Sequence, residues 1–134
     1  MANAHYAKGK EKILSGAVNY PTDTIKVALV KNTYPQDLAN DEFFTSISAY
    51  VVGTPQTLAA KTVAAGVFDA ADAVFLAVPA GDTLEGVVIY KDTGVAGTSP
   101  LLHYIDTITG FPMVTNGSDI TVRWNDGAFR IFGL

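Results

Sequence analysis

The chain has 134 residues, enough for a single domain with a buried core, and no cysteine, which excludes disulfides and thiolate metal sites. Thirteen acidic against nine basic residues leave a net charge of −4, which argues against an extended phosphate-binding surface. Apolar residues make up 49% and charged ones 16%, against roughly 25% charged in an average domain.

A small domain normally covers its surface with charge, so part of the apolar surface here is expected to lie against other subunits, in a homo-oligomer or a larger assembly. A tightly packed monomer is the alternative. No apolar run approaches the roughly 18–20 residues that span a bilayer. The opening MANAHYAKGKEK has no signal core, so neither membrane insertion nor secretion is expected. Lys8, Lys10 and Lys12 form too short a basic cluster for nucleic acid.

In chain order, Tyr6–Ser15 is the predicted helix. Tyr6, Ile13 and Leu14 recur at helical intervals, and Gly16 is a natural stop. Gly9 weakens it by about 1 kcal/mol relative to alanine. Pro21-Thr22-Asp23 turns the chain into the clearest strand, Thr24–Lys31, with Ile25, Val27 and Leu29 on one face and Lys26 and Ala28 on the other. Asn32–Asp41 reads as a loop, and Asp41 is placed to cap a short helical turn through Glu42, Phe43 and Phe44.

Further strands are expected at Ala49–Val52, ended by Gly53 and Pro55, and at Leu58–Val63 and Val74–Val78. Glu85–Lys91 and Leu101–Asp106 flank the loop Asp92–Pro100 as a long-looped antiparallel hairpin. Ile120, Val122 and Trp124 alternate with Thr121 and Arg123. Asn125-Asp126-Gly127 then punctuates a return strand, Ala128–Phe132. The core strands are Thr24–Lys31, Val87–Lys91, Leu101–Ile105 and Ile120–Trp124. One helix, six or more strands and no βαβ rhythm predict a mainly β domain over residues 1–134. The expected architecture is an antiparallel β-sandwich or small β-barrel.

Catalytic chemistry is not legible. His5 and His103 lie at opposite ends of the chain without a second ligand at metal spacing, and His103 reads as a packing residue in a strand. No serine sits in a G-x-S-x-G elbow. Asp69, Asp72, Asp82 and Glu85 do not match a calcium loop. Gly94–Ser99 lacks the Gly-Lys-Ser/Thr ending of a phosphate loop. Phe43, Phe44, Phe68, Phe75, Trp124, Phe129 and Phe132 lack interleaved Arg and Lys and read as core and interface anchors. The expectation is no enzyme activity, no metal and no cofactor.

Three stretches carry a resemblance: KGKEKILSGAVNYPTDTIKVALV at 8–30, VVIYKDTGVAGTSPLLHYID at 87–106 and GSDITVRWNDGAFRIFGL at 117–134. Together they cover about half the chain, and the segment 45–80 adds nothing. In order and spacing they resemble a family of small tailed-bacteriophage virion structural proteins. The resemblance implies a virion component, made in the bacterial host cytoplasm, with the major capsid protein or other virion proteins as partners. It brings no catalytic residue with it.

A capsid decoration (cement) protein fits that implication best, with a neck, tail-tube or fibre-attachment protein as the alternative. A carbohydrate-binding or enzymatic domain carried on the virion is the third reading, and it needs a concave aromatic or carboxylate-lined pocket. The interface candidates are Tyr6, Ile13 and Leu14 in a helical arm or docking segment over residues 1–15, together with Phe43 and Phe44.

Overall fold

The computed structural model describes residues 4–108, 110–124 and 131–133. In chain order these form β1 (Ala4–His5), helix α1 (Ala7–Leu14), β2 (Ile25–Lys31), β3 (Val51–Thr57), β4 (Thr62–Ala64) and β5 (Val67–Asp69). There follow β6 (Ala73–Phe75), β7 (Thr83–Lys91), β8 (Leu101–Ile105), β9 (Met113–Val114), β10 (Ile120–Val122) and β11 (Phe132–Gly133). Single 3₁₀ turns lie at Phe44–Ser46, Ser48–Tyr50 and Ala96–Thr98. The fold is mainly β, antiparallel and sandwich-like, and it does not close into a barrel.

The main sheet runs β1-β8-β7-β2-β3, with β9 on the far end of β7. Its long central strands, β2 and β7, pair from Ile25↔Lys91 to Val30↔Gly86. One face of the sheet presents Ile25, Val27, Leu29, Val87 and Ile89 to the larger core. The short pairs and triples β6–β10 and β4–β5–β11 close that core with Phe68, Phe75, Ile120, Val122 and Phe132. Ala28, Val30, Val88, Tyr90 and Tyr104 fill the opposite face. Tyr34, Phe44, Ile47 and Tyr50 from the segment between β2 and β3 cover it. Ala28, expected on an outward face, is therefore fully buried. A strand buried on both sides loses the simple alternation of a half-exposed one.

The amino-terminal segment folds back on this sheet. β1 pairs with β8 through Ala4↔Tyr104 and His5↔His103. α1 then lies across β8 so closely that a Cβ on Gly9 would stand 2.4 Å from the Leu101 carbonyl oxygen. The glycine that weakens the helix in isolation is thus what lets it touch the sheet. Gly16, at φ 82°, ends the helix. The amides of Gly16 and Ala17 bond back to the carbonyls of Ile13 and Lys12, which satisfies the last turn.

Several expected elements shift. Asp41 caps no helix: its carboxylate accepts from the Tyr34 hydroxyl and the Asp37 amide, and the 3₁₀ turn starts one residue after Phe43. The strand expected at Ala49–Val52 starts at Val51 and runs through Gly53 and Pro55 to Thr57. It survives the proline because β3 is an edge strand and bulges there. Ala28 of β2 faces the three residues between Val52 and Gln56, with Gly53 at φ 74°.

The strands expected at Leu58–Val63 and Val74–Val78 shorten and shift to β4 and β6, with Ala60 and Ala77 at positive φ inside the expected ranges, and β5 is an unexpected strand between them. Ala65 and Gly66 form the two-residue turn of the β4–β5 hairpin. Ile120–Trp124 stops as a strand at Val122 and pairs with β6. The Asn125-Asp126-Gly127 turn and most of the Ala128–Phe132 return strand lie outside the described residues. Phe132 and Gly133 pair with β5.

Candidate functional site

The five interface candidates occupy different environments. Tyr6 is fully buried in the smaller core. Its hydroxyl lies 2.9 Å from that of Tyr34, which donates to Asp41 at 2.6 Å. The one hydroxyl proton of Tyr34 goes to Asp41, so Tyr34 accepts from Tyr6 and the chain of donors runs from Tyr6 to Tyr34 to Asp41. Burial holds both phenols well above their ordinary range. Tyr6 is spent within the fold.

Ile13 is partly buried against the larger core. Phe43 is half-buried, bridged to Pro100, with the Lys12 ammonium 5.5 Å from its ring centre. Phe44 is half-buried and stacks obliquely on Tyr90 at 4.7 Å. Leu14, at the carboxyl end of α1, stands 87% exposed. Among the described residues, Val63, Val74, Leu76, Val95 and Val114 are the other large apolar side chains open to solvent. Most fall in β4, β6, β9 or the loops beside them, where the pattern of the sequence is least regular.

The histidines, separated by most of the sequence, meet. Register sets His5 opposite His103, and their rings touch at 4.2 Å between centres. Phe132 closes on both, 4.6 Å from His5 and 4.7 Å from His103. Nε2 of His5 and Nδ1 of His103 are buried without a hydrogen-bond partner. Desolvation, with Lys10 adding repulsion, lowers the His5 pKa to about 4. Desolvation, with His5 adding repulsion, lowers that of His103 to about 3. Both imidazoles are neutral near pH 7. Spacing along the chain concealed this pair, since only the two-residue strand β1 brings His5 to His103.

The carboxylates do not converge. Asp72 accepts from the Trp124 amide at 3.0 Å, and Asp82 pairs with Lys31 at 3.6 Å. Among the described residues, no group of three or more His, Cys, Asp or Glu side chains gathers at metal distance. Gly94–Ser99 contains the 3₁₀ turn Ala96–Thr98 and is knitted by Thr93, Thr98 and Ser99 hydroxyls, and it is followed by a strand rather than by a helix that would present amides to an anion.

Two shallow depressions flank that turn. One, of about 260 Å³, is lined by Lys26, Phe44, Pro55, Tyr90, Asp92 and Ser99. Its two charges neutralise each other, Lys26 standing 2.9 Å from Asp92. In the other, lined by Phe43, Thr93 and Pro100 among others, Lys12 pairs with Glu42 at 3.5 Å and Lys91 with Asp23 at 3.2 Å. Both are better suited to hold loops in place than to capture a charged ligand. No protein-family model matches the chain, and no curated protein matches it.

Proposed function

We propose that this chain is a non-enzymatic structural protein of a tailed-phage virion, acting as a capsid decoration protein that bridges neighbouring capsid subunits and stabilises the head. The resemblance of the three stretches at 8–30, 87–106 and 117–134 motivates the class. The observation that carries the reading is the exposure of Leu14, Leu76 and Val114, at 87%, 72% and 68%, on a small domain in which only 16% of residues are charged. Large apolar side chains left in water on a well-packed sandwich favour a contact with another protein. The ion-paired depressions favour no small-molecule substrate.

The test is copy number. Quantitative mass spectrometry of purified particles is expected to find this protein in near-stoichiometric amounts with the major capsid protein, on the head by antibody labelling. A few to a few tens of copies would move the assignment to the neck or tail tip, and abundant label along the tail would make it a tail-tube protein. Absence from particles would sink the virion reading altogether.

A further inference from the structure

We propose that His5 and His103 form an acid-operated clasp, whose protonation releases β1 from β8 and lifts Phe132 from its seat on the two imidazoles. The geometry is specific. The two rings meet edge-on at one register position, at the edge of the main sheet, and a single phenyl ring packs against both. Two of their nitrogens are buried and unpartnered, so a proton taken up there finds no acceptor among the described residues of the closed structure. A charge on one ring is placed directly against the other.

The described surroundings offer no opposite charge. From α1, Lys10 acts on His5 as a like charge. From β7, the residue opposite His103 is Ile89, which is apolar and fully buried. From β11, Phe132 is neutral, and behind it Tyr20 packs at 5.4 Å with its phenol held un-ionised by burial. Among the described residues, the charges acting on the pair are therefore Lys10 and the imidazoles themselves. Among the described residues, β1 is held by two paired residues and by the Tyr6 amide, which bonds to the Leu102 carbonyl at 3.0 Å. Its departure would uncover the outer edge of β8.

The sign follows from proton linkage. Both pKa values are lower in the closed form than in an open one, so the open form binds more protons between about pH 6.5 and pH 4. Closure is complete above this window and is lost as pH falls through it. Each imidazole that becomes free multiplies the opening equilibrium by about tenfold per pH unit.

Hydrogen exchange on the full chain, read as protection factors so that intrinsic exchange is removed, measures this directly. From pH 6 to pH 5 the Tyr6 amide is expected to lose roughly thirty- to a hundredfold of its protection, while Val27 and Ile89 keep theirs. A loss of tenfold or less, which one imidazole alone accounts for, would overturn the paired clasp. Parallel loss at Val27 and Ile89 would also overturn it, because the pair would then govern global unfolding. The His5→Phe/His103→Phe variant is expected to abolish the pH dependence at Tyr6, and persistence of that dependence would count against the proposal. If this variant does not fold, the wild-type profile decides.

Discussion

A Cβ on Gly9 would collide with main-chain atoms, the Leu101 carbonyl oxygen at 2.4 Å and the Leu102 Cα at 3.0 Å, and neither can rotate away. Alanine gains about 1 kcal/mol of helix propensity there, but forcing the helix off β8 costs about 1–3 kcal/mol. Gly9→Ala is therefore expected to lower stability, seen as a reduced denaturation midpoint at unchanged m-value; a rise would mean that α1 does not rest on β8. Ala65 presents the converse case. It holds φ 52° as the first residue of the β4–β5 turn, a conformation that suits glycine or asparagine. Ala65→Gly is expected to stabilise the domain by about 0.5–1 kcal/mol. A loss of stability on thermal melting would contradict the turn assignment.

At the scale of elements, the amino-terminal segment is anchored by Tyr6 rather than by its helix. Tyr6→Ala removes a fully buried ring and its hydroxyl bond to Tyr34, and is expected to cost about 3–5 kcal/mol. Tyr6→Phe, which loses only the hydroxyl, is expected to cost about 1 kcal/mol. Equal effects of the two, measured by chemical denaturation, would show that the ring contributes nothing. Deleting Met1–Ser15 removes the same anchor and should compromise folding itself, read as a loss of the far-UV strand signal.

The elements also show what a sequence can disclose. β2, β7, β8 and α1 were legible because their apolar residues repeat with strand or helix periods and their ends carry turn residues. β4 and β6 were legible only with wrong bounds and β5 not at all, because three alanines at positive φ break the chain where alanine's preferences give no warning. β1 and β9, two residues each, are too short to carry a period. The interface candidates divide in the same way. Apolarity marked Tyr6 and Leu14 equally, yet Tyr6 is enclosed because the 32–50 segment supplies Tyr34 as its partner, a contact across 28 positions that no local pattern encodes.

For the whole molecule, the exposed apolar side chains should be dispensable for folding and needed for assembly. The variant Leu14→Glu/Leu76→Glu/Val114→Glu is expected to shift stability by no more than about 0.5 kcal/mol per site. If the decoration reading holds, its occupancy on particles falls at least tenfold. A stable variant that decorates normally would place the contact elsewhere.

The bulge in β3 bears on how copies of this protein behave when crowded together. An exposed strand edge is a template on which another chain's backbone can dock. On β3 that template is spoiled, since Gly53 twists the strand and Pro55 has no amide to offer. β4, at the border of the other layer, has no such defence: Thr62, Val63 and Ala64 are all exposed, and none is a proline or a charged residue. Were the protein to polymerise on long storage, the first intermolecular ladder would be expected to grow from β4. A single Val63→Lys substitution on that strand should then slow it.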